Sequence, residues 1–395
     1  MNYVSKKIQQ FLQQGSEIRK MFEEGAILKK QYGADNVFDL SLGNPIMEPP
    51  KKFYESLKNI SINQPLGIHR YMPNSGYSAT RQAIAKNLSI ETELNFSENN
   101  IIMTCGAGGA LNVVLKTLLN SGDNVIILNP YFVEYPFYID NHNGESRMVD
   151  CDENFHPNIN ELKETITATT KAIIINSPNN PTGVVYPTEV LNSIADVIKD
   201  KEKEFNISIF IISDEPYRKI IYDDNKYPFL YKFHDRTIIA TSHSKDLGLA
   251  GERIGYIAVN PLLSNSQDLI DAMIFCNRTL GFVNAPALMQ NIIGELQDIT
   301  VDIKEYTNKR DFLYTELSNI GYEIKKPEGA FYMFPKSPLV NDRDFTQLLK
   351  KQKVLVVPGS AFGKQGYFRI SYCVTDEELK GSIRGFDKAY QETVK

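Results

Sequence analysis

Tryptophan is absent from the chain, and cysteine and histidine are scarce. The four cysteines in 395 residues are widely scattered, at positions 105, 151, 276 and 373, and the five histidines lack the spacing of metal ligands. This composition argues against a disulfide framework and against a metal site, so we assign no metal. Scattered thiols are typical of proteins in a reducing compartment, and we expect a cytoplasmic protein.

Long apolar runs and an excess of positive charge are missing too. No stretch approaches the roughly 18 consecutive apolar residues of a transmembrane helix. Residues 1–20 lack the apolar core of a signal peptide. The formal net charge of −5 provides no basic surface for nucleic acid. We therefore expect neither a membrane nor a nucleic-acid partner, which leaves small molecules as the expected ligands.

The chain does contain a series of short apolar, β-branched runs separated by helical patterns. Such near-continuous runs are typical of strands buried on both faces of a sheet. Their alternation with helices predicts a mostly parallel central sheet sandwiched by helices. The runs lie at residues 101–103, 125–128, 172–175, 209–212 and 237–240. The predicted fold class is α/β.

The pattern changes at about residue 285. Residues 286–317 read as one long helical stretch, and the strands and helices that follow are short and mixed. This change predicts a smaller α+β domain beside the first. We expect a large, cofactor-binding domain over residues 46–285 and a small domain formed by residues 1–45 and 286–395. Near the N-terminus, a one-sided apolar pattern predicts a helix over residues 16–30, with Ile18, Met21, Phe22, Ile27 and Leu28 on one side.

Residues that carry chemistry concentrate in the loops after the predicted strands. The loops are Cys105–Gly109, Asn129–Phe132, Ser177–Gly183 and Ser213–Arg218. The small residues of the first loop let backbone N–H groups face an anion, although close packing alone also explains them. Asp214 directly follows a buried apolar run, where a carboxylate is costly unless it has a partner. In a parallel sheet such loops meet at one edge, where ligands bind.

Lys245 lies between two apolar runs, with Ser242, Ser244 and Arg253 close by in the sequence. An amine that attacks an aldehyde needs its pKa lowered by burial and by neighbouring cations. Two hydroxyls and an arginine suit a phosphate dianion. This combination predicts a lysine that holds the phosphorylated aldehyde pyridoxal 5'-phosphate as a Schiff base, with an ordinary structural lysine as the alternative.

Four motifs, in their order and spacing, resemble the class I and II aminotransferases of the fold-type I pyridoxal phosphate enzymes. They are SPNNPTG at 177–183, DEPY at 214–217, SHSK at 242–245 with Arg253, and RIS at 369–371. The resemblance extends from about Ile18 to about Tyr390. It implies a homodimer with shared active sites. It also implies that the enzyme moves an amino group between an L-amino acid and a 2-oxo acid by a ping-pong mechanism.

The resemblance implies roles for individual residues as well. Lys245 would hold the cofactor and shuttle a proton, and it forms the catalytic set with Asp214 and Tyr217. The implied cofactor-binding set is Tyr71 (from the neighbouring subunit), Ala107, Gly108, Phe132, Asn180, Asp214, Tyr217, Ser242, Ser244, Lys245 and Arg253. The substrate α-carboxylate would be bound by Gly43, Asn180 and Arg369. From the residues alone, an ion pair within the small domain is the better account of Arg369.

The chain departs from the family pattern in the anion loop. Gly108 stands where many relatives carry a polar side chain, so phosphate binding there must rest on backbone groups. A lysine that reads an acidic substrate in some relatives is missing at the same place, which puts an acidic specificity by that route in doubt. Arg278 lies near a position at which another branch supplies a substrate-binding arginine, but it is slightly out of register.

Three other interpretations remain open. The nearest is a pyridoxal phosphate-dependent C–S or β-lyase, or a decarboxylase, of the same fold. A regulator that senses the cofactor or an amino acid is disfavoured, because residues 1–40 are too short for a winged-helix domain. A dinucleotide oxidoreductase is disfavoured, because the GxGxxG motif with its downstream acid is missing. The sequence does not identify the amino donor.

Overall fold

The computed structural model describes residues 3–14 and 16–394, without the side chains of residues 13–23. The helices are α1 Lys6–Gln14, α2 Ser16–Tyr32, α3 Lys51–Ile62, α4 Ser78–Thr92, α5 Gly106–Leu118, α6 Tyr135–Asp140, α7 Ile159–Thr165, α8 Thr188–Phe205, α9 Gln267–Thr279, α10 Ala287–Ile293, α11 Ile303–Ile320, α12 Asp342–Lys351 and α13 Asp376–Val394. The strands are β1 Phe38–Asp39, β2 Ile101–Thr104, β3 Asn124–Leu128, β4 Glu145–Val149, β5 Thr170–Asn176, β6 Phe210–Asp214, β7 Thr237–Ser242, β8 Gly255–Val259, β9 Tyr332–Met333, β10 Val354–Leu355, β11 Val357–Pro358 and β12 Phe368–Ser371.

A seven-stranded sheet with the strand order β2-β8-β7-β6-β5-β3-β4 forms the centre of the fold. Strands β4, β3, β5, β6 and β7 pair in parallel, and β8 runs antiparallel to both β7 and β2. All five predicted apolar runs form strands of this sheet, and the predicted α/β class with a mostly parallel sheet is confirmed.

Helices cover both faces of this sheet because its strands are apolar on both sides. In β3, Val125 and Ile127 pack in one cluster with residues of α5 and α9. Ile126 and Leu128 point the other way and pack in a second cluster with residues of α7 and α8. Successive side chains of a strand alternate between the two faces, so a continuous apolar run serves both clusters.

The direction of the strands collects five loops at one edge of the sheet. β2, β3, β5, β6 and β7 all end at this edge, since β2 and β7 are both antiparallel to β8. β8 begins there at Gly255, two residues after Arg253. The loops that the sequence analysis singled out therefore lie side by side, as expected for a ligand-binding edge.

A second unit packs beside this edge. Its antiparallel sheet has the order β11-β12-β9, and α11, α12 and α13 cover it around a core that contains Leu313, Phe345 and Phe386. The isolated pairing of β1 with β10 joins the N-terminal segment to the same unit. The predicted small α+β arrangement accounts for these elements.

The prediction of one helix over residues 286–317 is wrong. The stretch forms α10 and α11, and the side chain of Asp302 caps the second helix by accepting a hydrogen bond from the Lys304 amide. Met289 and Ile293 of α10 pack with Met103 of the seven-stranded sheet, whereas Leu313 of α11 packs in the second unit. The division of the chain at residues 45 and 285 stays a prediction, and α10 lies with the first sheet.

Other differences concern short elements. β4 was not predicted, because this strand contributes alternating exposed and buried residues at the sheet border rather than an apolar run. The helix predicted over 16–30 is α2, but the side chains of Ile18, Met21 and Phe22 lie outside the described residues. Among the described helices, none is long and apolar enough to cross a membrane.

Candidate active site

A cavity of about 350 Å³ lies between the edge of the seven-stranded sheet and the second unit. A volume of this size is in the range of small-molecule sites. It is lined by Leu42, Gly43, Ala107, Gly108, Leu111, Phe132, Val133, Glu134, Tyr138, Asn176, Asn180, Asp214, Pro216, Tyr217, Ser242, Ser244, Lys245, Ala250, Arg253, Tyr332 and Arg369.

The structure brings nearly all of the predicted site residues together in this cavity. The exception is Tyr71, which is 91% exposed and does not line it. Arg278 also lies elsewhere, at the end of α9, with its guanidinium 5.4 Å from the ring centroid of Phe275. The predicted set thus forms one site within the chain, apart from the residue assigned to a neighbouring subunit.

Lys245 follows β7 and points its amine into the cavity. Its Nζ donates a hydrogen bond to the Gly43 carbonyl at 2.8 Å and lies 5.5 Å from the ring centroid of Phe331. Burial is the main cause that lowers the pKa of Lys245 to about 8, while Cys373 opposes this shift and the charges of Arg369 and Arg253 add to it. An amine with this pKa is partly neutral near neutral pH, as a nucleophile requires.

Asp214 is the last residue of β6 and is buried at the floor of the cavity. Tyr135 donates a hydrogen bond of 2.5 Å to its Oδ2, while Oδ1 is buried without a partner among the described residues. Burial raises the pKa of Asp214 to about 7, although the Tyr135 hydrogen bond opposes this shift. A buried oxygen without a donor costs free energy, so this carboxylate is suited to a ligand that brings an N–H group.

A chain of amide groups connects Asp214 with Arg369. Asn176 Nδ2 donates to the backbone carbonyl of Asp214 at 2.9 Å, and Asn176 Oδ1 accepts from the Asn180 amide at 2.8 Å. The side chain of Asn180 then accepts a hydrogen bond of 3.0 Å from Nη1 of Arg369. These contacts fix Asn180 between the sheet and the second unit.

Arg369 lies in β12 and extends into the cavity from the side of the second unit. Its Nη2 donates to the Ser41 carbonyl at 2.5 Å, and its guanidinium lies 4.7 Å from the ring centroids of both Tyr332 and Phe362. Nε is buried without a described partner. No carboxylate is paired with Arg369 among the described residues, so the ion pair considered from the sequence is absent and the guanidinium is available to an anion.

The first turn of α5 and Arg253 form a cradle for an anion. The first amides of a helix have no partner inside the helix, and those of Gly106–Gly108 face the cavity end of the sheet. A Cβ on Gly106 would lie 2.7 Å from Nη2 of Arg253, and the φ of Gly106 is +72°, so glycine is required at this place. The hydroxyl residues Ser242 and Ser244 line the same region.

Aromatic side chains complete the walls. Phe132 lines the cavity and contacts Tyr135 edge-on, with ring centroids 5.5 Å apart. The hydroxyls of Tyr217 and Tyr332 lie 2.9 Å from each other. A Cβ on Gly43 would lie 1.9 Å from the Tyr332 hydroxyl, so only glycine allows this approach of the backbone to the tyrosine.

The sequence analysis missed several residues of the site. Tyr135, Asn176 and Tyr332 contact predicted site residues directly, and Glu134 and Tyr138 line the cavity. Asn176 ends a buried strand, where a polar residue is a usable signal. Tyr135 lies three residues after Phe132, but nothing in the sequence distinguishes it from an ordinary core tyrosine. Tyr332 comes from the second unit, and only the packing of the two units reveals its place.

The arrangement combines groups that act together on one molecule. Among the described residues, it offers an amine with a lowered pKa, a carboxylate with one oxygen that lacks a donor, an anion cradle and an arginine without a carboxylate partner. These groups have the chemistry to bind a phosphate at one end of the cavity and a carboxylate at the other. The amine lies between the two and is placed to move protons.

Comparison with known proteins agrees with this geometry. Residues 35–385 match the family model for aminotransferase class I and II. The chain is 36% identical over 355 residues to a probable aspartate aminotransferase of Methanocaldococcus jannaschii, and the aligned region covers 87% of this chain and 91% of that protein. It is 30% identical to an aromatic-amino-acid aminotransferase of Thermococcus litoralis over 95% of this chain and 96% of that one. A crystal structure of an amino transferase from Eubacterium rectale matches all of both chains with a TM-score of 0.96 and 38% identity.

Proposed function

Because this chain belongs to the class I and II aminotransferases, which transfer an amino group between an amino acid and a 2-oxo acid, we propose that its cavity binds pyridoxal 5'-phosphate and a carboxylate substrate. The transfer is ping-pong: an L-amino acid leaves its nitrogen on the enzyme, and a 2-oxo acid then collects it. When bound, the cofactor supplies an aldehyde that condenses with amines and a pyridine ring that withdraws electrons. The lyase and decarboxylase alternatives are not favoured, since the similar proteins are described as aminotransferases.

The observation that carries the cofactor proposal is the free oxygen of Asp214. Its Oδ1 is buried and has no donor among the described residues. The N–H of a protonated pyridine ring supplies the missing donor, and the carboxylate in turn favours the protonated ring. Phe132 offers a ring face beside this position, and Tyr217 and Asn180 offer groups for the phenolic oxygen. The donor set therefore fits the group.

The phosphate proposal rests on the cradle at the start of α5. Backbone amides of Ala107 and Gly108, the hydroxyls of Ser242 and Ser244, and the guanidinium of Arg253 are assigned to the phosphate. Gly108 contributes no side chain, so the amides and the helix N-terminus take a larger share of the binding. Tyr71, which is exposed on this chain, is assigned to the phosphate of a neighbouring subunit.

Lys245 is assigned two tasks at one atom. Its Nζ would hold the cofactor, and the same atom would accept and return the proton that leaves the substrate carbon. The lowered pKa of about 8 supports both tasks, because a neutral amine is needed for attack and for proton uptake. The carbonyl of Gly43 accepts a hydrogen bond from Nζ and thereby fixes the position of the amine in the cavity.

Arg369 is assigned to the α-carboxylate that all amino and oxo acid substrates share. Its planar guanidinium matches a carboxylate with two parallel hydrogen bonds. Asn180 and Ser41 orient the guanidinium, and the ring of Tyr332 supports it from one side. Gly43 lets the substrate approach because it has no side chain.

Absorption spectroscopy and chemical labelling test the cofactor proposal. The purified protein is expected to be yellow, to bleach when an amino acid is added and to recover its colour with a 2-oxo acid. Borohydride reduction followed by peptide mapping is expected to place the pyridoxyl label on Lys245. A colourless protein that takes up no cofactor, or a label on another lysine such as the buried Lys219, would overturn the assignment.

The same reasoning extends to assembly and location. A cytoplasmic homodimer is supported by the exposed Leu66 and Tyr71, which are 99% and 91% exposed in the single chain, and by four cysteines that form no disulfide. Sedimentation analysis is expected to give the mass of a dimer. An inactive Tyr71→Ala protein mixed with an inactive Lys245→Ala protein is expected to regain activity if Tyr71 acts in the neighbouring site. A monomer with full activity would contradict the shared site.

A further inference from the structure

Glu134 is an acidic residue that lines the cavity, two residues after Phe132 and just before α6. The residue is half-buried, and its carboxylate has no hydrogen bond or ion pair with any described residue. A partly buried charge without a partner is unfavourable in a folded protein. Its presence in the cavity wall therefore points to a role in ligand binding.

The cations of the cavity do not neutralise Glu134. Lysine and arginine residues that line the cavity are Lys245, Arg253 and Arg369, and the proposed function assigns them to the aldehyde, the phosphate and the α-carboxylate. Burial raises the pKa of Glu134, and no nearby positive charge opposes this shift. The region around Glu134 thus has a negative potential that the other ligands leave in place.

The surroundings of Glu134 suit the side chain of an amino acid substrate. Tyr138 lies one turn later on α6 and also lines the cavity, and burial together with the charge of Glu134 raises the Tyr138 pKa to about 12. Its hydroxyl therefore stays protonated. Leu42, Leu111 and Val133 supply apolar surface in the same cavity. A side chain with an apolar stem and a positively charged or N–H end matches this combination.

We propose that Glu134 selects the side chain of the amino donor, favouring donors with a positively charged or N–H-bearing end and disfavouring the second carboxylate of aspartate and glutamate. The inference rests on the proposed function and specifies its substrate class. Like charges placed together across a binding site are unfavourable, whereas a carboxylate and an ammonium or amide group form a favourable hydrogen bond.

Matched pairs of donors test the selection. Values of kcat/KM are measured with lysine and its neutral analogue norleucine, and with glutamate and its neutral analogue glutamine, on wild type, Glu134→Gln and the control Glu164→Gln on the exposed face of α7. Wild type is expected to prefer lysine to norleucine and glutamine to glutamate. In Glu134→Gln, the lysine-to-glutamate ratio of kcat/KM is expected to fall at least about tenfold, a change of roughly 1.4 kcal/mol. Glu164→Gln is expected to keep the wild-type ratio.

A binding measurement separates this inference from effects on chemistry. The affinity of the holoenzyme for the dicarboxylate maleate is measured by calorimetry, with the monocarboxylate butyrate as reference. Glu134→Gln is expected to bind maleate more tightly by at least about tenfold and butyrate with little change.

Two results would overturn the proposal. The first is a wild-type enzyme that prefers glutamate to glutamine and a Glu134→Gln variant with the same preference. The second is a Glu134→Gln variant with a lowered melting temperature or a lost dimer but unchanged donor ratios, because this result assigns Glu134 to a contact between subunits. A protein that takes up no cofactor and converts no donor of either charge refutes the proposed function as well, and the colour and labelling tests identify that case.

Discussion

The two walls of the cavity hold buried charges of opposite sign, and they stabilise these charges in different ways. On the sheet wall, Asp214 has, among the described residues, one neutral side-chain donor, Tyr135, and one oxygen without a partner. On the opposite wall, Arg369 donates to two oxygen acceptors and lies against two aromatic rings. Burial raises the pKa of Asp214 and lowers the pKa of Arg369, and both shifts favour the neutral form of the group. The guanidinium nevertheless stays charged because its ordinary pKa is so high.

The difference shows what each wall contributes. Arg369 is oriented before the substrate arrives, so its contribution is position and charge for a carboxylate. With a pKa of about 7, Asp214 is only partly charged near neutral pH in the free protein, and a positive ring nitrogen bound beside it would favour the fully charged form. The opposite wall, which holds Arg369, therefore serves binding, whereas the sheet wall, which holds Asp214, supports the chemistry. Lys245, which lies between them, serves both.

Replacing Lys245 removes the group on which both walls depend and should have the largest effect. Lys245→Ala is expected to show no measurable turnover and to lose covalently held cofactor, because Nζ is the attacking atom and the proton carrier in the proposed function. Turnover with a good amino donor and borohydride labelling check this outcome. A Lys245→Ala protein that retains more than about one hundredth of the wild-type rate would contradict it.

Asp214→Asn tests the role of the sheet wall in the chemistry without removing a hydrogen-bonding side chain. The variant is expected to fold and bind cofactor, but its single-turnover rate should fall by about a thousandfold or more, equivalent to roughly 4 kcal/mol. The reason is that a neutral amide no longer favours a protonated ring nitrogen. If the rate stayed within about threefold of wild type, less than 1 kcal/mol, Asp214 would have no electronic role.

Arg369→Ala tests the role of the opposite wall in substrate binding. Truncation of one partner of a buried charged pair costs roughly 2–5 kcal/mol, so kcat/KM should fall about 10²–10³-fold or more and by a similar factor for every amino donor. Arg369→Lys is expected to recover only part of this loss, since an ammonium cannot form the two parallel hydrogen bonds.

The alternative for Arg369 is a purely structural role. In that case its contacts with Asn180, Ser41 and the aromatic rings serve only to stabilise the fold. That role predicts an early-melting variant with a normal kcat/KM per folded molecule. Melting temperature and kcat/KM are therefore measured on the same preparations of Arg369→Ala.

The sequence predicted the sheet wall better than the opposite wall, and the reason is physical. Strands such as β5 and β6 are apolar on both faces, so their runs and the polar residues that end them are visible in the sequence. The loops that follow parallel strands must meet at one edge, so Asp214 and Lys245 could be placed together by topology alone. Their detailed roles came from the resemblance to a known family.

The second unit was harder to predict because its strands are short. β9 contains only Tyr332 and Met333, although the apolar run around it is longer. Helix α10 precedes the second unit in the chain but packs on the seven-stranded sheet. The contact of Tyr332 with Tyr217 and of Tyr135 with Asp214 joins residues far apart in the chain. No local pattern encodes such contacts, because they depend on how the elements pack.

Tyr135→Phe sharpens the comparison by removing the Tyr135 hydroxyl, which donates a hydrogen bond to Asp214. A hydrogen bond to a charged group is worth about 1.5–3 kcal/mol, and part of this remains when a bound ring nitrogen keeps the carboxylate charged, so we expect a rate loss of about tenfold. The Tyr135 hydrogen bond lowers the Asp214 pKa, so its loss should also move the acid limb of the pH–rate profile to higher pH. Tyr186→Phe, at a buried tyrosine outside the cavity, is the control. A rate loss without a shifted profile would indicate damage to packing instead.

The smallest expected effect is on the stability of the cofactor-free protein. Burial raises the pKa of Asp214 to about 7, well above the value near 4 of an unfolded chain. Between about pH 4 and 7 the folded state therefore binds more protons at this site than the unfolded state, so stability must fall as the pH rises through this range. Lys245, with a pKa of about 8, stays protonated there and adds no slope. Glu215, whose pKa is also raised to about 7 by burial, adds the same slope to wild type and variant.

Urea unfolding of the cofactor-free protein at pH 5 and pH 7 measures this slope. Asparagine does not titrate, so Asp214→Asn should lose less stability over this interval than wild type. We expect a difference of at least about 1 kcal/mol, since one pK unit corresponds to about 1.4 kcal/mol. With cofactor bound the difference should shrink or reverse, because a positive ring nitrogen then favours the charged carboxylate in wild type. Parallel pH dependences for the two cofactor-free proteins would show that Asp214 is already charged before a ligand arrives, and the contrast between the two walls would then be wrong.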